Sequence, residues 1–417
     1  MYLFRHRGVP TEHRKRINSA KDPESLTPAE PMWVPLRNWG QEMEPMLPRQ
    51  DVLAGQKLGT GDCTGRSPMS GIFQRYSEVE HPMIGHLSCA LVDGIHRARN
   101  TKEPRELEAL TAEQLIGLAR EAGIVDEYDG QPLFEKLREL LRNKVNLVVA
   151  NALDDEPYVS SGISTVLHYS KEVVGGLRLI QSILPRVSAM LAVFSSTSIH
   201  GLGKINEQKL GVPVKKVSGN YPLWVGLERR LTAEGKTFGK IGVQACRALY
   251  RAACYDLPQT ECLVTVDGDG VARSGNFWVP VGMTLTDLLQ QCGLQKKANY
   301  VVIGNPMNGI AITDTDFPIT QETRSVLVLN DRPGGDKAYP CLGCGRCNQV
   351  CPMKLYPGVV AKRWERGHAK NLDNYHVERC IGCGCCTVVC PAGRDLCTMM
   401  QKMKHDSPDP IHLYEKE

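Results

Sequence analysis

Residues 341–352 read CLGCGRCNQVCP, and residues 380–391 read CIGCGCCTVVCP. The same twelve-residue sentence is written twice, 39 positions apart. The first run is Cys341, Cys344, Cys347 and Cys351, then Pro352; the second is Cys380, Cys383, Cys386 and Cys390, then Pro391. Both fit C-x2-C-x2-C-x3-C-P. Three cysteines spaced by two residues wrap three corners of a cubane cluster from one short loop. The fourth starts a helical turn pointing away and serves the other cluster. The spacing therefore predicts two [4Fe-4S] clusters. One sits on Cys341, Cys344, Cys347 and Cys390, the other on Cys380, Cys383, Cys386 and Cys351. Gly343, Gly345, Gly382 and Gly384 let backbone amides approach the cluster sulfurs.

Structural zinc is the competing reading, but zinc sites use paired cysteines and not a repeated four-cysteine run ending in Cys-Pro. Clusters that only hold shape are a second alternative. Cys385 reads as a packed small side chain within a cluster loop, with a reactive thiol as the alternative, and Cys397 reads as a bystander. Of sixteen cysteines, ten lie between Cys341 and Cys397. The others (Cys63, Cys89, Cys246, Cys254, Cys262, Cys292) are scattered singly, as small buried hydrophobes are. No export signal is visible, so dense cysteine reads as metal and not as disulfides.

Length and composition set the frame. A chain of 417 residues allows two to four domains. With 42% hydrophobic and 23% charged residues it is an ordinary globular composition. A net charge of +4, with no aromatic-plus-basic stripe, gives no case for nucleic acid. The start, MYLFRHRGVPTEHRKRIN, has no apolar segment of the secretory kind. The most apolar stretch, LRLIQSILPRVSAMLAVF, contains Arg178, Pro185 and Arg186 and reads as a buried helix running into a strand, with no transmembrane segment. A cytoplasmic protein, at most peripheral to a membrane, is expected.

Residues 31–94 carry turn signals every eight to twelve residues and predict a small all-β unit. Residues 105–140 look helical, with Leu107, Leu110, Leu115, Leu118 and Ala119 at helical spacing. VNLVVANA (145–152) reads as a strand, the following helix places Val166, Val173, Leu177, Ile180 and Leu184 on one face, and AMLAVFSS is the next strand. That order is the grammar of a parallel α/β sheet, whose ligand loop after the first strand is NALDDEPYVSSG. Residues 260–329 turn β-rich with one amphipathic helix, a compact α+β unit of β-grasp size, and NDRPGGDKAYP reads as a linker.

Taken in order, these units resemble the RnfC family, subunits of ion-pumping ferredoxin:NAD oxidoreductases with soluble relatives such as the cobalamin reductase of propanediol microcompartments and the electron-transfer protein associated with proline reductase. The residues that carry the resemblance are GVPTEHRK, VLAGQKLG…SPMSG, NALDDEPY, VTVDGDGVARSGNFWVPVG, IGNPMNG and both cysteine runs. It covers nearly the whole chain. It implies a multidomain α/β and α+β protein: an N-terminal arm and β barrel-sandwich lobe (1–95), a Rossmann-like parallel α/β domain like that of the complex I flavin subunit (96–259), a β-grasp (SLBB) domain (260–330) and a C-terminal double-cluster ferredoxin-like domain (331–417). Asp51, Gly55 and Gln56 also resemble the biotinyl/lipoyl barrel-sandwich. No Lys stands at a comparable hairpin tip, so a structural lobe is expected there and not a carrier.

The resemblance implies electron transfer between a pyridine nucleotide, FMN and the clusters. The family's flavin loop, approximately GxGGAGFPTxxK, is here VDEYDGQPLFEKL. Gly130, Pro132 and Lys136 align with it, while Asp126, Glu127 and Asp129 stand near the missing glycines. Side chains block the close backbone approach that glycine permits. Each carboxylate opposes a phosphate by about 1 kcal/mol in water and by more where water is excluded. NALDDEPY keeps Asp154, Glu156 and Pro157 of the family's acidic motif. A third loop keeps Tyr221 and Pro222 without the paired glycines. An FMN, if retained, would lie near Gly130, Lys136, Asp154 and Glu156. The expectation is an electron-relay subunit of an oxidoreductase, in which the flavin step has been lost and NAD(H) is not bound. Its partners would be redox proteins (a reductase, ferredoxin or flavoprotein, or a membrane complex met by peripheral contact) within a hetero-complex. The alternatives are an NADH-dependent FMN/iron–sulfur oxidoreductase and a scaffold subunit with structural clusters.

Overall fold

The computed structural model describes residues 7–11, 21–28, 30–36, 46–59, 65–96, 109–184, 186–195, 201–331, 338–366 and 373–405. Leu107, Cys63, the EHRK part of the first family stretch and linker residues 332–337 lie outside them.

The N-terminal part contributes β1 (Glu24–Ser25), β2 (Met32–Pro35), β3 (Asp51–Val52), β4 (Ser70–His81) and β5 (Gly85–His96). The last four form an antiparallel sheet in the order β2-β5-β4-β3. Its inner side chains, among them Met32, Val34, Phe73 and Val92, share one apolar cluster with residues from 262 to 328. The β lobe and the later β-rich segment are therefore packed as one body, although an α/β segment of roughly a domain's length separates them in sequence.

The helical expectation over 105–140 resolves into two helices, α1 (Ala112–Glu121) and α2 (Leu133–Arg142). Thr111 and Gln114 form a reciprocal capping box at the start of α1. Between the helices, Gly123 turns at φ +62° and Val125 bridges to Pro132, a β-like loop that helical periodicity does not announce. The chain continues through β6 (Leu147–Ala152), α3 (Ser161–Ser182), β7 (Ser188–Phe194), α4 (Glu207–Leu210), β8 (Val214–Val217), α5 (Leu223–Ala233), β9 (Phe238–Gly242) and α6 (Val243–Tyr255). All four strands are parallel, in the order β8-β7-β6-β9. β6 is buried at every residue, as a strand covered on both faces must be. From β6 the chain winds outward to β7 and β8, then returns to β9 on the other side of β6. The crevice at the carboxyl ends of β6 and β9 is thus a topological switch point, where open α/β sheets receive ligands.

The next unit comprises β10 (Glu261–Asp267), β11 (Gly275–Pro280), α7 (Leu285–Gln291), β12 (Tyr300–Ile303), β13 (Ile310–Ile312) and β14 (Ser325–Leu329). With β1 it forms a six-stranded mixed sheet, β1-β11-β10-β14-β12-β13. The C-terminal segment is helical among its described residues: α8 (Arg346–Val350), α9 (Pro357–Glu365), α10 (Cys385–Val388) and α11 (Leu396–His405). No helix of the described residues is long and apolar enough to cross a membrane.

α3 and α6 touch backbone to backbone. A Cβ on Gly176 would stand 1.8 Å from the Cys246 carbonyl oxygen, and one on Gly175 would stand 2.3 Å from the Tyr250 ring. Gly176→Ala would gain about 1 kcal/mol of helix propensity. The overlap is with backbone that cannot rotate away, and overpacking of that kind costs about 1–3 kcal/mol. The steric effect wins, so Gly176→Ala should lower the thermal unfolding midpoint; a midpoint at or above that of the parent would contradict this packing.

Candidate metal centre

The repeated sequence folds twice into the same turn. Gly343 and Gly345 lie at φ +70° and +71°, and Gly382 and Gly384 at +64° and +76°. These are left-handed values at which side chains are strained. Each second glycine opens a short helix, α8 or α10, that carries the third cysteine near its start. The fourth cysteine lies just past the end of that helix, followed by proline, and not at the start of a helical turn as the spacing suggests. α8 and α10 pack on each other, so each helix end is aimed at the other run's loop.

The consequence is visible at one small cavity. Cys351 of the first run lines it together with Cys380, Cys383 and Cys386 of the second, and Cys385 and Cys397 line it as well. Its other walls include Pro352, Met353, Leu355, Ile381 and Met400, which keep water out. Amide donors reach the sulfurs: the Leu355 N–H lies 3.3 Å from Cys351 Sγ, and Gln401 Nε2 lies 3.4 Å from Cys380 Sγ. Burial pushes the Cys351 and Cys380 thiols above their ordinary range. Iron must displace those protons when it binds.

The other four cysteines are more open. Cys341 and Cys344 are exposed, and Cys347 and Cys390 are half-buried. Cys347 and Cys390 pack against the same apolar cluster as Ala361 and Leu396. Cys390 lines a groove with Arg346, Gln349 and Val350 of the first run. Cys385 is fully buried among Val9, Tyr221 and Met307, a packed small side chain. Among the described residues no three His, Cys, Asp or Glu side chains converge closely enough to hold a single ion. A four-iron cluster takes one thiolate per iron, so its ligands stand around a cube and not around a point. The donor set of four thiolates in an apolar, amide-rich pocket fits such a cluster.

The residues considered for FMN lie at the sheet's switch point, in use by one another. Lys136 Nζ is 2.7 Å from both Asp126 Oδ2 and Asp129 Oδ2. Burial pulls its pKa down, but the two carboxylates outweigh that and hold it above the ordinary value. Asp126 also accepts from the Gly242 N–H at 2.8 Å. Glu127 accepts from the N–H groups of Gln244 (2.8 Å) and Ala245 (3.1 Å), so it caps the start of α6. Asp154 accepts from the Ile163 N–H at 2.7 Å and does the same for α3. Arg324 donates to Asp154 at 2.8 Å and to Glu156 at 3.0 Å, with its guanidinium 3.9 Å over the Tyr128 ring. Gly130 turns the loop at φ +69° and donates to the Asp126 carbonyl. Sequence reasoning missed Arg324 and Tyr128. Arg324 is 170 residues from Asp154, so no local pattern links them.

Comparison with known proteins agrees with this anatomy. An SLBB domain family matches residues 263–309, and a 4Fe-4S dicluster domain family matches residues 340–394. The C subunit of the proton-translocating ferredoxin:NAD(+) oxidoreductase complex of Clostridium ljungdahlii is 26% identical over 384 residues, covering 85% of this chain and 83% of the relative. The chain is RnfC-like.

The C subunit of the ion-translocating oxidoreductase complex of Haemophilus influenzae is 26% identical over 340 residues, and that of Vibrio cholerae 27% over 344. They align with 73% and 76% of this RnfC-like chain, which spans only 50% and 44% of their own length. Among solved structures, an NAD+-reducing [NiFe]-hydrogenase in the air-oxidized state is similar at a TM-score of 0.49 and 15% identity. The match covers 70% of this chain and 62% of that one, and the likeness is too loose to carry a functional argument.

Glu127 also makes a pH prediction. Burial first, and the Asp126 charge second, push its pKa from 4.5 to about 8, against the lowering pull of its amide donors. Between those values the unfolded chain is ionised while the folded chain keeps the proton, so folding binds a proton. The contribution of this group is complete below pH about 4.5 and fades as pH rises to about 8. Glu127→Gln should flatten the decline of stability with pH across that window, read by urea unfolding at a series of pH values. An unchanged slope would contradict the assignment.

Proposed function

We propose that this RnfC-like chain is an electron-relay subunit that holds two [4Fe-4S] clusters and exchanges electrons with redox partner proteins in a larger oxidoreductase. Cys341, Cys344, Cys347 and Cys390 would hold one cluster, and Cys380, Cys383, Cys386 and Cys351 the other. The observation that carries this reading is one cavity that brings Cys351 together with Cys380, Cys383 and Cys386 of the other run, with Cys385 and Cys397 also on its wall. When bound, each cluster takes up and gives back one electron. The chain's own part is to fix the thiolates, direct amide hydrogen bonds at the sulfurs, and exclude water around Cys351 and Cys386. No side chain need act as acid or base.

The reading is of a relay without flavin. A nucleotide phosphate binds helix N-termini through their free N–H groups. At the switch point those groups already serve Glu127 on α6 and Asp154 on α3. A Cβ on Gly242 would lie 2.0 Å from Glu127 Oε2, so that carboxylate fills the space directly over the strand end. Lys136 and Arg324 are engaged by four carboxylates, and the neighbouring Lys240 lies over the Trp224 and Tyr128 rings. FMN and NAD(H) would have to displace a compensated ionic network.

The division proposed is 1–95 for the arm and barrel-sandwich lobe, 96–259 for the Rossmann-like domain, 260–330 for the β-grasp domain and 331–417 for the dicluster domain. The relatives' names describe subunits of complexes. By analogy this chain works in a hetero-complex, on the cytoplasmic side and attached to a membrane, if at all, by surface contacts.

Anaerobically purified protein should contain about eight irons and eight sulfides per chain, with no FMN released by acid. One FMN per chain would replace this reading with a flavin-dependent oxidoreductase. Zinc in place of iron would end it.

A further inference from the structure

The two cysteine sets differ in what covers them. The second set is packed against the rest of the protein, with Cys351 and Cys386 buried and Cys380 and Cys383 half-buried. Cys385 Sγ donates to the Tyr221 carbonyl at 3.6 Å, and a Cβ on Gly384 would stand 1.7 Å from the Met307 carbonyl oxygen. The Arg229 guanidinium donates to the Pro352 carbonyl. The first set faces outward, with Cys341 and Cys344 exposed beside Leu342 (69% exposed).

Exposed apolar side chains are frequent in this segment, on the first set's side and, at Ile381, at the edge of the second-set cavity. Of the large hydrophobic residues exposed among the described ones, half lie in the dicluster segment: Tyr339, Leu342, Tyr356, Val359, Ile381 and Val388. The first-set cysteines tie most of them together. Tyr339 N–H donates to the Ala392 carbonyl, two residues past Cys390. Val388 shares a groove with Cys390 and Arg346. A Cβ on Gly358, between Tyr356 and Val359 in the chain, would touch Cys347 Sγ at 2.9 Å. Exposed apolar groups in such a cluster mark an interaction surface.

The charge around Leu342 and Arg346 is mainly positive. Residues 339–366 contain Arg346, Lys354, Lys362, Arg363 and Arg366 against a single acid, Glu365, and Glu365 is paired with Arg394. The nearby Asp395 accepts from Thr387 and from the Thr398 N–H. A cationic rim around exposed apolar residues complements an acidic rim on a partner, which steers encounter and fixes register.

We propose that the face around Cys341, Cys344, Leu342 and Arg346 is the docking site of an acidic one-electron carrier protein. The inference rests on the cluster reading above and adds to it a direction: the first set is the end that partners meet, and the second is the end buried against the α/β and β-grasp domains. One electron crosses the interface at a time, the cluster losing what the carrier gains, and no atom is transferred.

The test uses the iron-loaded full chain and an acidic flavodoxin as the protein probe, with binding followed by NMR shifts of the flavodoxin. Binding should be present at low ionic strength and fall about tenfold or more as salt shortens the Debye length. Arg346→Glu and Leu342→Asp should each weaken it by about as much, while Arg178→Glu, on α3, should not. As a second readout, oxidation of the dithionite-reduced chain by anionic tris(oxalato)cobaltate(III) should slow as salt is added, oxidation by cationic hexaammineruthenium(III) should not, and Arg346→Glu should weaken the salt dependence seen with the anion. Full iron with binding unchanged in both variants overturns the docking face and leaves the relay standing. Variants that instead break a dimer of the chain also overturn it, by giving the face to a second copy. An unmodified chain that takes up no iron overturns the cluster reading and this inference with it.

Discussion

Cys351 has to leave the run it belongs to and face the cysteines of the next one. That single crossing dictates most of the C-terminal structure. It requires two matched glycine turns, two short helices packed on each other, and a proline after each fourth cysteine to end the helix. On the proposed ligand sets neither run would make a complete site alone, and the segment would fold as one unit around its metal, as small metal domains do.

That unit is clamped, and the clamp uses backbone. Gly384 sits on the Met307 carbonyl, and Cys385 on the Tyr221 carbonyl. Tyr221 also pairs with Val9 in both directions. Three parts of the chain (the segment at Val9, the parallel α/β unit and the loop after β12) thus converge on one cysteine run. The switch point of the parallel sheet lies behind this contact. Leu223 N–H, next to Tyr221 and Pro222, donates to Asp155 in the acidic loop. The scaffold holds an arrangement suited to a ligand beside the inner cysteines, and fills it with Asp126, Glu127, Asp154, Lys136 and Arg324. Buried ion pairs are weak contributors to net stability, but removal of one partner is costly.

Much of this is legible in the sequence, and the reason is locality. The cysteine runs declare their chemistry within twelve residues. The strand-helix-strand text of 145–194 declares itself through periodicity, and Val166, Val173, Leu177 and Ile180 are buried as that periodicity requires. What stays hidden depends on contacts distant in sequence. The acids at 126, 127 and 129 read as charges that would repel a phosphate. In the fold they are caps and counterions, because α6 and Lys136 come to meet them. Arg324, just before β14, pairs with Asp154 and Glu156 without a trace in the acidic motif itself. The β lobe's core is shared with residues beyond 260, which a linear division into domains does not show. The break between α1 and α2 escapes notice because Leu115 and Ala119 on one side, and Leu133 and Leu137 on the other, keep helical spacing across a loop.

Diffraction from anaerobically grown crystals, recorded on both sides of the iron absorption edge, addresses the crossing directly. The account predicts two four-iron peaks, with Cys351 Sγ bonded to the cube that also holds Cys380, Cys383 and Cys386, and Cys390 Sγ bonded to the other. Runs that each wrap a cube with their own four cysteines, or anomalous signal at the zinc edge instead, would contradict it.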